Sequence, residues 1–143
     1  MIVVGYSSGS FGRACLEQGI VEAQLRETDL LVINAISETR GQRYADADEM
    51  LDAERRLTEA GVRFRIWQPI GVTPAEELLT AMDDPAAELL IIGMRRRTQV
   101  GKLLLGSTSQ YLLIECRKPV LVVKPTDEHR RLEPDLAPTP AVD

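Results

Sequence analysis

Apolar positions along this chain follow two rhythms. Ile2 to Tyr6, Leu30 to Ala35, Leu89 to Ile92 and Val120 to Val123 are short apolar runs rich in β-branched residues, as in strands buried on both faces. Val62 to Ile70 alternates instead, with Val62, Phe64 and Ile66 against Arg63, Arg65 and Trp67. That pattern predicts an edge strand with its arginines in water and Trp67 as a packing or dimer-contact side chain. Between the runs the spacing becomes helical. From Phe11 onward, Cys15, Leu16, Gly19, Ile20 and Ala23 recur at three- and four-residue steps, which buries one helix face. Ser8 or Ser10 is the expected cap of that helix. Ala47, Met50, Leu51, Leu57 and Ala60 predict a second helix, stopped by Gly61. Thr73-Pro74-Ala75-Glu76 starts a third, with a threonine cap, a proline at the first helical position and a glutamate placed for a capping box. Ser107 caps a fourth, which runs through Tyr111, Leu112 and Cys116.

Strands alternating with helices, and reading as continuous apolar runs, predict an α/β fold: a single open five-stranded parallel sheet with helices on both faces. The 143 residues fit one domain, assigned to 1–125. Residues 126–143 form a Pro-rich acidic tail without periodicity, expected to be disordered, with His129 as a solvated side chain within it.

Composition narrows the class of protein. Hydrophobic residues are 44% of the chain and charged residues 27%, close to the globular average. The apolar runs are far shorter than a membrane span, and Met1-Ile2-Val3-Val4-Gly5 lacks the basic start and long apolar stretch of a secretory signal. Two cysteines, Cys15 and Cys116, lie far apart without metal-ligand spacing, as reduced thiols of a cytoplasmic protein do. The net charge is −5, and the tail carries five acids against two arginines. The folded part is therefore nearly balanced, which disfavours nucleic acid as a partner.

Candidate chemistry concentrates in Gly93-Met94-Arg95-Arg96-Arg97-Thr98-Gln99-Val100-Gly101-Lys102-Leu103-Leu104-Leu105-Gly106-Ser107-Thr108-Ser109. The segment leaves a buried strand and opens a helix. Glycine at both ends allows close backbone approach, and free N–H groups with the helix dipole at residues 107–109 favour an anion, phosphate above all. Arg95, Arg96, Arg97 and Lys102 add charge-assisted donors. Their plainer reading is a solvated basic loop, just as Ser7-Ser8-Gly9-Ser10 reads as a strand-to-helix turn and Gly101 as loop punctuation.

Gly93, then Gly106-Ser107 at this distance, followed by Lys118-Pro119-Val120-Leu121-Val122-Val123, resembles the C-terminal signature of the universal stress protein (UspA-like) family. The order of elements matches it over residues 1 to about 125. Nucleotide-binding members carry G-x2-G-x9-G-[S/T]. Here Arg96 stands at the second glycine, and Ser7 stands where such members have an Asp at the end of strand one. The resemblance implies a Rossmann-like fold of the adenine nucleotide alpha hydrolase type, with strand order 3-2-1-4-5. It also implies a small-molecule nucleotide, ATP or AMP, in the crevice between strands one and four, where ligands settle in open α/β sheets. The implied contacts are Gly5, Tyr6 and Ser7 at the end of strand one, Ile33 in strand two, and Gly93, Met94, Arg95 and Arg96 at and beyond the end of strand four. Gly101 in the loop and Gly106, Ser107, Thr108 and Ser109 at the helix start complete the set. Right-handed crossovers then place the Cys15 and Cys116 helices on opposite sheet faces, which excludes an intrachain disulfide.

Three functions fit these features. The first is a non-enzymatic, nucleotide-responsive regulator of stress physiology. The second is an interaction module of the same fold without ligand, a homodimer through strand five, Pro119 to Val123, as the resemblance implies. The third is an adenylyl-transfer or ATP-hydrolysing enzyme, suggested by a partial resemblance of Ser7-Ser8-Gly9-Ser10 to the S-G-G-x-[DS] loop of ATP pyrophosphatases. No catalytic residue and no metal ligand is assigned in any of them.

Overall fold

A computed structural model describes residues 1–35, 45–96 and 103–131. The main sheet contains β1 (Ile2–Gly5), β2 (Leu30–Ile33), β3 (Phe64–Trp67), β4 (Leu89–Gly93) and β7 (Val120–Val123). All neighbours are parallel, in the order β3-β2-β1-β4-β7. This is the expected 3-2-1-4-5 arrangement, with β7 as the fifth strand of the sheet.

Side-chain alternation along the strands sorts the core into two layers. Ile2, Val4, Leu30, Val32, Leu89 and Ile91 meet α1 (Ser10–Arg26) and α2 (Ala47–Glu59), which bring Cys15, Leu16, Ala23, Met50, Ala53 and Leu57. Val3, Ile33, Leu90 and Ile92 meet Ala75, Leu78 and Met82 of α3 (Pro74–Met82) and Leu112 of α4 (Ser107–Glu115). Cys15 is in the first layer and Cys116 packs against the second, so the sheet separates the two free thiols.

Several local expectations are corrected. β2 stops at Ile33 and β3 at Trp67, because after the Asn34 N–H bond to the Trp67 carbonyl the next donor would be Pro69, which has no N–H to extend the ladder. Leu51 is 62% exposed: it lies about 100° around the helix from Met50, and Ala53 takes the inward place. Trp67 is 55% exposed, since α3 covers β1 and β4 and leaves the β3 edge bare on that face. Thr73 occupies the N-cap of α3 and Pro74 the first helical position, but no side-chain hydrogen bond closes that cap. The caps of α1 and α4 are glycines, Gly9 and Gly106, not Ser8, Ser10 or Ser107.

The basic loop after β4 doubles back. β5 (Arg95–Arg96) pairs antiparallel with β6 (Leu103–Leu104), so the backbones of Arg95 and Arg96 are committed to a short ladder. Beyond β7 the chain forms α5 (Asp127–Arg131), which packs on α1. His129 is therefore not a solvated tail residue. Its side chain is 12% exposed and its Nε2 meets Glu17 of α1.

Candidate functional site

The carboxyl ends of β1, β2 and β3 are laced together by one buried amide. Asn34 is 2% exposed. Its Nδ2 donates to the Tyr6 carbonyl at 2.9 Å, its Oδ1 accepts from Gln68 Nε2 at 3.1 Å, and its N–H donates to the Trp67 carbonyl at 2.9 Å. Tyr6 N–H donates in turn to the Ile33 carbonyl at 2.8 Å. Asn34 was not among the residues singled out above. Its signal is a polar residue closing the apolar run Leu30 to Ile33, since a buried amide needs partners for nearly every donor and acceptor.

Gly5 and Ile33 face each other in the parallel register, and Ser7 follows them at the strand end. The turn there is tight: a Cβ on Gly12 would stand 1.7 Å from the Ser7 carbonyl oxygen, so only glycine lets α1 begin so soon after β1. The Tyr6 side chain points the other way, into the α1 and α2 layer. Its hydroxyl donates to Glu49 Oε1 at 2.8 Å, Ser8 Oγ donates to Glu49 Oε2 at 2.7 Å, and Gly9 N–H donates to Oε1 at 2.9 Å. Burial, then the bond to the Glu49 carboxylate, hold the Tyr6 phenol well above its ordinary pKa. Glu49, too, was not singled out, because an acid in the first turn of a helix ordinarily answers the helix dipole.

Across β1, β4 delivers Gly93 and Met94. Met94 N–H donates to the Val123 carbonyl at 3.0 Å. The Gly93 carbonyl accepts from Ser109 Oγ at 3.2 Å, so the front of α4 is tied to the end of β4. Gly106 caps α4 in extended backbone with no side-chain capping bond. Ser109 is buried with its hydroxyl engaged, Thr108 is half-buried and Ser107 is exposed. The fold thus brings Gly5, Ser7, Gly93, Gly106, Ser107, Thr108 and Ser109 to neighbouring ends of β1 and β4. Ile33 joins them by its backbone. Tyr6 contributes its backbone there and its side chain elsewhere. The side chains of Arg95 and Arg96, and all of Arg97 and Gly101, lie outside the described residues.

The arrangement suits an anion. The N-cap of α4 is a glycine and supplies no capping side chain, so the helix front offers N–H groups and the positive end of the dipole. Among the described residues, no group of three or more His, Cys, Asp or Glu side chains stands together to hold a metal ion. No helix among them is long and apolar enough to cross a membrane.

Comparison with known proteins places this geometry. A universal stress protein of Mycolicibacterium smegmatis is 60% identical over 130 residues, covering 87% of this chain and 98% of the relative. The universal stress protein of Archaeoglobus fulgidus in complex with dAMP superposes with a TM-score of 0.59 at 20% identity, over 86% of this chain and 96% of that one. A universal stress protein in complex with cAMP gives a TM-score of 0.65 at 24% identity, over 87% and 96%. At those identities the two structures establish the shared fold. Residues 1–124 match the model of the universal stress protein family from β1 through β7, and the chain belongs to that family.

Proposed function

We propose that this protein binds an adenine nucleotide, ATP or AMP, in the crevice at the carboxyl ends of β1 and β4, and that it acts as a cytoplasmic regulator by binding, without turnover. The observation that carries the reading is the front of α4. Gly106 leaves its first-turn amides free of a capping side chain, and the Ser109 to Gly93 bond holds that helix front against β4. Phosphate is the ligand group such a terminus accepts. Relatives of this fold hold dAMP and cAMP, which supports adenine as the base. The two departures from the family's motif shape the reading. Ser7 substitutes a neutral hydroxyl for a carboxylate, and Arg96, its backbone paired with Leu103, substitutes a guanidinium for a backbone contact to phosphate.

Native mass spectrometry of freshly purified protein tests for retained nucleotide, and isothermal titration with ATP, AMP and cAMP tests the free site. Binding of one nucleotide per chain, abolished by Gly106→Asp, is expected. No heat at millimolar ligand overturns the reading.

A second reading is favoured by β7, an edge strand whose residues Val120 to Val123 are all only half-buried. An unpaired apolar edge is a template for another strand, and pairing it across a two-fold axis makes a homodimer. Light scattering decides between the two states, and a monomeric mass across micromolar concentrations rejects the dimer.

A further inference from the structure

Two helix fronts border the crevice, that of α1 after β1 and that of α4 after β4. Both caps are glycines, Gly9 and Gly106, and neither N-cap residue makes a side-chain capping bond. The two fronts are nonetheless finished differently. At α1 the Glu49 carboxylate reaches across from α2 and accepts from Tyr6 Oη, Ser8 Oγ and Gly9 N–H, at 2.8, 2.7 and 2.9 Å. Glu49 is itself anchored, its N–H donating to Asp46 Oδ1 at 2.8 Å. An internal anion thus stands beside the N-cap of the 17-residue α1, on the Gly9 amide, and bonds from neutral donors to a carboxylate are stronger than those to a neutral acceptor.

We propose that Glu49 is a positioning residue of the nucleotide crevice: it holds the N-cap of α1 from within the protein, fixes the Ser7 to Gly9 turn, and leaves the ligand's phosphate to the front of α4. The proposal rests on the nucleotide reading above. Its physical content is twofold. Three donors around the turn, Tyr6 Oη, Ser8 Oγ and Gly9 N–H, are satisfied by one side chain, so Ser7 is held beside Gly5 without a ligand present. The negative charge already at α1 also repels a second anion, which makes the two helix fronts unequal although both face the same crevice. Without Glu49 the buried Tyr6 hydroxyl loses its partner, the turn loosens, and α1 offers a competing anion seat.

The test uses the full chain, AMP as the probe, and the Gly9 amide resonance as a reporter of the turn. Glu49→Ala and Glu49→Gln should both weaken AMP binding, by about tenfold, the loss expected for one charge-assisted bond. Both should also shift the Gly9 amide. Formate should restore affinity and resonance in Glu49→Ala, whose cavity can take it, and not in Glu49→Gln, while the same concentration of chloride does neither. A role confined to stability would move neither readout with formate. Should Glu49→Ala fail to fold, the near-isosteric Glu49→Gln carries the affinity and resonance measurements. Unchanged affinity in folded variants overturns the positioning role while leaving the nucleotide reading intact, and so does a loss that formate cannot reverse. A wild-type chain that binds no AMP, yet shows a formate-reversible Gly9 shift in Glu49→Ala, overturns the nucleotide reading and the positioning role with it, and separates that failure from a misassigned carboxylate.

Discussion

The Cys15 Sγ lies 3.2 Å from the point that a Cβ on Gly93 would occupy, and the Phe11 Cβ lies 3.4 Å from the same point. α1 rides over the end of β4 at a separation that leaves no room for a methyl group unless the neighbours give way. The first glycine of the nucleotide signature therefore has a packing duty independent of any ligand.

Gly93→Ala is expected to destabilise the fold by about 1–3 kcal/mol, as overpacking of a filled core does. Urea unfolding measures it. Cys15→Ala in the same background should recover part of the loss, giving a coupling of at least about 0.5 kcal/mol in a double-mutant cycle. Strict additivity would show that the strain lies elsewhere. Weakened nucleotide binding in Gly93→Ala is thus no proof of ligand contact until the cycle has been measured.

The same contact shields the thiol. Burial alone pushes Cys15 up to about 12, roughly three units above an ordinary cysteine, so its thiolate population near neutral pH is about a thousandfold lower. In native protein a disulfide reagent should label Cys116, which is only half-buried, and leave Cys15 untouched until denaturant is added. Cys116→Ser should then show no rapid thiol. Rapid labelling of that variant would mean that α1 opens from β4 far more readily than its packing implies.

What the sequence made legible follows the range of each force. The strands and the helices rest on apolar runs and periodicity, which are written locally and reinforced along each element, whereas the sheet order followed from the family resemblance. The start of α4 was legible to within one residue because Gly106 and Ser107 are neighbours on the chain, although the cap is Gly106 and not Ser107. Asn34 and Glu49 escaped, since their importance depends on partners from Tyr6 to Gln68 that only folding assembles. α5 escaped for another reason. Five residues have no intrinsic helical stability, and the segment is ordered by what it touches on α1, not by its own pattern.

Tyr6 makes the protein sensitive to alkali. Its phenol is raised above its ordinary value of about 10, first by burial and then by Glu49, so the folded state holds the proton more tightly than the unfolded chain does. The associated stability is whole below pH about 10 and is lost progressively as pH climbs toward the folded value, at up to about 1.4 kcal/mol per pH unit. Tyr6→Phe removes the titrating group. Urea midpoints from pH about 9 to about 11 should fall less steeply in that variant than in the parent, although it begins lower because Glu49 has lost a donor. Parallel slopes would show that the unfolded state, or another group, controls the alkaline limit.

The short helix α5 gives the last expectation. Thr126 N–H donates to His129 Nδ1 at 3.1 Å, so Nδ1 is an acceptor and the ring proton of neutral His129 sits on Nε2, which donates to Glu17 Oε2. Glu17 also meets Arg56 of α2 at 3.5 Å, so one carboxylate joins α1, α2 and α5. A chain ending at Lys124 should be less stable than the full chain by about 1–3 kcal/mol, the cost of a lost charge-assisted bond and its packing. His129→Ala should reproduce at least half of that loss. Glu17→Gln retains an acceptor and should lose less than His129→Ala. If truncation leaves the urea midpoint unchanged, the contact with α1 adds nothing beyond what water offers Glu17, and α5 is ordered without stabilising what it covers.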